Sequence, residues 1–276
     1  MRIAISNLAW DVTEDSLIAD LLALHGIDAI DVAPGKYFPD LTAATADEIE
    51  RVREWWSARG IAITGMQALL FGTSGLNMFG DDASRSAMLT HLDAVCRVGA
   101  GLGGSRLVFG SPRNRDRSAL DDGQALTMAV DFFRRLGDIA ARHDVLLCLE
   151  PNPPCYGANF MTDSKETALI VTAVDHPAIR MQLDTGAIAI NGEDPLEVVE
   201  NWGGLIGHVH ASEPDLAVLG DGSADHGRTA AALTRHLPGA VVTIEMLPPK
   251  DEPRLPAIER ALQVALRHYR GTGEPA

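Results

Sequence analysis

The chain has 276 residues, 46% of them hydrophobic, and a formal net charge of −15. That length suits one large domain or two small ones, with enough apolar residues for a sizeable core. An acidic chain without a Lys/Arg run excludes a protein that coats nucleic acid, because phosphate affinity rests on basic residues. The cysteines Cys96, Cys148 and Cys155 are odd in number and form no Cys-x-x-Cys pair. They support neither a disulfide framework nor a zinc knuckle. The start, MRIAISNLAWD, makes a poor signal peptide, and no apolar stretch is long enough to span a bilayer. A cytoplasmic location and no membrane partner are expected.

In chain order, short apolar runs recur as strand candidates: RIAIS (2–6), DAIDV (28–32), IAITGM (61–66), SRLVFG (105–110), VLLCLE (145–150), IRMQLD (179–184), LIGHVH (205–210) and VVTIEM (241–246). Longer segments with helical spacing lie between them. In 82–100, Met88, Leu89, Leu92, Val95 and Cys96 fall on one stripe. GAGLGG (99–104) superficially looks like a dinucleotide fingerprint, but it ends a helix and precedes a strand, so it reads as a helix cap and turn. Asp194 and Pro195 open a helix near 194–202. Leu255, Ile258, Leu262, Leu266 and Tyr269 mark a last one. Strands that read as continuous apolar runs belong to a sheet buried on both faces. Eight βα units predict a (β/α)8 TIM barrel over 1–270, a single α/β domain, with the tail 271–276 read as disordered. An open doubly wound sheet would show a Gly-rich turn after the first strand, and SNLAWDVT has no glycine.

In such a barrel, functional groups sit at the C-terminal ends of strands. Strand five ends in Glu150, strand six in Asp184 and strand seven in His210, and strand eight carries Glu245 near its end. Four consecutive strands thus deliver three carboxylates and an imidazole to one rim. Each alone reads as a solvated carboxylate or a structural histidine. Together they suit a divalent cation: manganese, magnesium, cobalt or zinc. In IGHVHASEPD (206–215), strand alternation points His208 the same way as His210, two residues deeper. His208 reads either as a packed imidazole hydrogen-bonded to a neighbouring strand or as a group that orients a ligand.

The series Glu150, Asp184, His210, Glu245, with GHVHASE and LGDGSADH after it, resembles the metal site of the xylose isomerase-like sugar isomerase/epimerase barrels. Ketose 3-epimerases, hydroxypyruvate isomerase and inosose dehydratase belong to that group. The resemblance implies a metal-dependent isomerase or epimerase, manganese first among the cations, acting on a keto-sugar, sugar phosphate or polyol. It also implies that Glu150 and Glu245 are both ligands and the acid–base pair, facing the reacting carbon from two sides.

The usual substrate residues of the ketose epimerases do not follow. A histidine three positions after the strand-six Asp is here Ala187, PDLAVL (214–219) holds no arginine, and a second glutamate after strand five is here Tyr156. Other candidates for substrate contact are Trp10, Gln67, Asn152, Tyr156, His208 and Glu213, with Phe71 as a wall. Arg113, with Arg115 and Arg117 beside it, is a candidate for an anionic group. Each is equally readable as rim packing or a solvated loop. The alternatives to an isomerase are a keto-polyol dehydratase on the same site and a non-catalytic sugar-binding protein. A homo-oligomer is compatible with all of these.

Overall fold

Eight apolar runs become eight parallel strands: β1 Arg2–Ser6, β2 Ala29–Val32, β3 Ala62–Met66, β4 Arg106–Phe109, β5 Leu146–Leu149, β6 Ile179–Asp184, β7 Ile206–Ser212 and β8 Val241–Glu245. In this computed structural model, which describes residues 1–270, they pair in sequence order and β8 returns to β1, closing a barrel. The expectation for the tail 271–276 lies outside the described residues. The helices are α1 Asp15–Leu24, α2 Ala46–Ser57, α3 Asp82–Leu102, α4 Asp122–Arg142, α5 Ser164–Val174, α6 Thr185–Asn191, α7 Pro195–Trp202, α8 His226–His236 and α9 Arg254–Ala265. Among the described residues no helix is long and apolar enough to cross a membrane.

Local chemistry sets the helix ends. Thr45 and Glu48 form a capping box on α2, and Asp121 and Gln124 form one on α4. Asp194 caps α7 with Pro195 in its first turn. Gly103 takes a left-handed φ of 86° and ends α3, so GAGLGG is the cap and turn that its context predicted. The buried stripe of α3 includes Met88, Leu89, Leu92, Val95 and Cys96.

The barrel interior is layered. One layer is polar: Asp31 accepts hydrogen bonds from Thr64 Oγ1 (2.7 Å) and Thr243 Oγ1 (2.8 Å) and pairs with His208 Nε2 (2.7 Å). His208 Nδ1 lies 3.0 Å from Gln182 Oε1. All of these groups except Thr64 are buried, and mutual hydrogen bonding offsets their loss of water. The layer above begins at His210, whose ring meets that of His208 edge-on at 5.0 Å. Register aligns that upper layer. A shift between Met181 and Gln182 sets Asp184 opposite His210, and the regular pairing of β7 with β8 sets Ser212 opposite Glu245.

Candidate metal centre and active site

Glu150, Asp184, His210 and Glu245 each offer one ligand atom, and these atoms lie within 4.8 Å of one another. All four side chains are buried or nearly so. His210 Nδ1 is 3.3 Å from Glu150 Oε1, 3.8 Å from Asp184 Oδ2 and 3.1 Å from Glu245 Oε2. Three carboxylates around one imidazole leave excess negative charge in a desolvated place, which a cation would offset. Glu150 Oε1 and His210 Nε2 are buried with no hydrogen-bond partner. The donor set, oxygens with one nitrogen, fits a hard or borderline divalent ion.

The remaining lone pairs of the cluster are held from outside it. Asp184 Oδ1 accepts from the Ala187 N–H (2.6 Å) and Oδ2 from Ser212 Oγ (2.9 Å). Gln67 Nε2 donates to Glu245 Oε1, and Asn152 Nδ2 donates to Glu150 Oε2 at 3.1 Å. Asn152 in turn accepts from Arg115 Nη2 (2.5 Å), while Arg115 Nη1 donates to the Glu150 carbonyl (2.8 Å). The Arg115 guanidinium is fully buried. Such partners fix ligand orientation. In sequence Arg115 stands beside Arg113 and Arg117 as part of a candidate anion loop; its packing under Glu150 is decided by the fold of the 3-10 turn at Pro112–Arg115.

Electrostatics follow from burial and crowding. Burial first, then the charges of Glu150 and Glu245, push the Asp184 carboxyl up to about 7. Burial alone would lower His210, but the Glu245 and Glu150 carboxylates outweigh it and hold its pKa well above the ordinary value. Burial raises Glu150, yet the His210 contact, Asn152 and Arg115 together bring it below its usual value. Metal ligation requires Asp184 ionised and His210 neutral. Divalent-metal affinity should therefore rise with pH through about 7, with proton release on binding. Without metal, the raised Asp184 group favours the folded state most at low pH, and that contribution is lost as pH rises through about 7. The melting temperature of the chelated protein should fall from pH 6 to 8 while the increment from added manganese grows. An increment independent of pH would contradict this assignment.

Glu150, Asp184 and Glu245 floor a cavity of about 500 Å³ at the C-terminal end of the barrel, whose lining also includes Gln67, Asn152, Tyr156 and Ala187, while His210 lies buried behind them. Three non-glycine residues in the left-handed region, Ala68, Asp215 and Leu216, line it too. Such strain concentrates at functional sites. Tyr156 Oη accepts from the Asp215 N–H at 2.7 Å.

Four expected substrate contacts sit elsewhere or face elsewhere. Trp10 is 1% exposed and outside the cavity lining, its indole donating to Asp15 Oδ1 (2.7 Å) and packing edge-on against Trp56. His208 belongs to the polar layer beneath the site. Glu213 borders the cavity, but its carboxylate is spent on the following loop: it accepts from the Gly220 and Ala224 N–H groups (2.9 Å each) and pairs with His226 Nε2 (2.9 Å). Arg113 is exposed and outside the lining. Arg113→Ala should leave KM unchanged, and a several-fold rise would return the residue to the site.

The model of one protein family, the xylose isomerase-like TIM barrel, matches residues 19–268. The chain belongs to this family. Among solved structures, this xylose isomerase-like barrel is similar to a D-psicose 3-epimerase from Clostridium cellulolyticum H10 solved with D-tagatose: TM-score 0.79, 18% identity, 98% of each chain covered. It is also similar to the 3-keto-D-glucoside 4-epimerase YcjR of E. coli: TM-score 0.78, 18% identity, 95% of this chain and 98% of that one. The IolI protein with a bound zinc atom gives TM-score 0.76 at 18% identity, with 98% of each chain covered. At these identities the likeness is one of fold. No curated protein matches the chain.

Proposed function

We propose that this xylose isomerase-like barrel is a divalent-metal-dependent isomerase or epimerase that moves a proton at the carbon α to the carbonyl of a keto-sugar or keto-polyol. The observation that carries the reading is the convergence of Glu150, Asp184, His210 and Glu245, whose three carboxylates border the floor of the cavity. Manganese is the proposed cation, held by these four side chains; when bound it would neutralise the carboxylates and polarise substrate oxygens. The epimerases among the structures of similar fold act on ketoses and a keto-glucoside, which agrees with a carbohydrate substrate.

The acid–base work falls to Glu150 and Glu245. They stand at the ends of β5 and β8, three strands apart around the rim, and so approach a substrate between them from different sides. One takes the α proton and the other delivers a proton to the opposite face, which inverts the carbon. Delivery to the neighbouring carbon gives isomerisation. Gln67 and Asn152 keep the two carboxylates in orientation.

The test is solvent deuterium uptake by a panel of ketoses and keto-polyols, followed by NMR or mass spectrometry. Uptake at a carbon beside the carbonyl should vanish on chelation and return with manganese. An enone absorbance in place of exchange would make the protein a dehydratase. Exchange unaffected by chelation, or no exchange with any member of the panel, would sink the proposal.

A further inference from the structure

We infer that the substrate is an uncharged carbohydrate bearing an apolar substituent, alkyl or aryl, which lies at the cavity mouth against Phe71, Tyr156 and Leu247. The inference rests on the isomerase reading of the same site and narrows its substrate class. Charge is the first ground. Apart from the cluster itself, the ionisable acidic residues bordering the cavity are Glu213 and Asp215, and no Lys or Arg lines it among the described residues. The nearby Arg115 guanidinium is buried and engaged by the Glu150 carbonyl and Asn152. A phosphate or carboxylate on the substrate would enter a carboxylate-rich space with no basic side chain to receive it.

The walls are the second ground. Phe71 is 88% exposed, Leu247 46% and Tyr156 42%, and all three border this cavity. The other large exposed hydrophobics, Leu17, Leu24, Leu126 and Leu169, do not line it. Exposed apolar surface gathered at one mouth marks a contact surface. Of the three side chains at the mouth, only Tyr156 carries a hydroxyl, and its Oη accepts from the Asp215 N–H. Asn152 is hydrogen-bonded through both Oδ1 and Nδ2, and the Ser111 hydroxyl donates to Asn114. At the cavity floor Gln67 Oε1 and Glu150 Oε1 are buried and unpartnered. One end of the substrate therefore meets the polar cluster, and the other meets carbon.

The experiment compares three groups of ligands on the manganese-loaded protein: free keto-sugars, their phosphate esters, and phenyl and octyl glycosides whose ketone lies away from the anomeric carbon and so stays free. Calorimetry reads affinity, and deuterium uptake reads chemistry. The glycosides should bind roughly tenfold or more tightly than the free sugars, as expected for burying a ring or chain, and the phosphates more weakly. Phe71→Ala should remove most of that advantage without changing the folded state, since the side chain is exposed. Equal affinity for glycosides and free sugars, or tightest binding of the phosphates, overturns the inference while exchange on the free sugars leaves the isomerase reading standing. A dimer in which Phe71 is covered, and which Phe71→Ala dissociates without altering ligand preference, also overturns it. Absence of exchange with every ligand overturns the isomerase reading, and this inference with it.

Discussion

Replacing Glu150 or Glu245 with Gln is expected to lower kcat by about 10²–10⁴-fold, the usual range for an acid–base group. The substitution keeps the shape of the side chain and removes its basic oxygen. Both residues are also proposed ligands, so lost turnover has two sources that metal analysis of the same samples separates. Neighbouring groups sharpen the expectation. Gln67 donates to Glu245 and Asn152 donates to Glu150, so a Gln amide can present its oxygen to the same donor and turn its NH₂ toward the cluster. That NH₂ is neither base nor ligand. A manganese-loaded variant with near-normal turnover would remove the two-carboxylate mechanism and favour a hydride shift between carbons, as would product formed without solvent deuterium.

Gly110→Ala is the second large effect. Gly110 follows β4, beside the end of β5 where Glu150 stands. A Cβ at this position would overlap Glu150 Oε2 and lie 2.9 Å from its Cδ. The glycine has no left-handed φ, so the backbone accepts alanine and the collision falls on the carboxylate alone. Glu150 must swing away, which breaks its hydrogen bond from Asn152 and moves a ligand atom out of the cluster. Metal affinity should fall by roughly 10–100-fold, as for loss of a ligand-orienting contact, and activity should fall with it. Circular dichroism and the melting temperature of the metal-free protein should change little. Gly239→Ala is the control, because nothing lies within 4 Å of its added Cβ. Unchanged metal affinity in Gly110→Ala would mean that Glu150 is not a ligand in this geometry.

The strands were legible because each is short, apolar and bounded by polar turns. RIAIS matches β1 from end to end, and IRMQLD matches β6. LIGHVH stops two residues short of β7, because Ala211 and Ser212 are small and polar enough to resemble a loop. Their extension matters: Ser212 Oγ is the group that holds Asp184. Alternation along β7 put His208 and His210 on one face, as the strand period requires. Asp31 inside DAIDV is a charged residue in an apolar strand, which is itself a signal of a buried partner. That partner is His208, 177 positions away in the chain.

By itself the sequence determined the alternation of strands and helices, the helix ends, and the four ligand-type residues at successive strand ends. These are local properties: backbone preference, hydrophobic period and capping act within a few residues. Tertiary structure alone decided which rim residues face the cavity. Trp10 turned under α1 to reach Asp15, Glu213 turned onto its own loop, Arg113 stayed in solvent, and Arg115 was drawn beneath Glu150. Side-chain direction in a loop depends on which distant donor or acceptor the barrel closure brings within about 3 Å, and a buried polar group must find one.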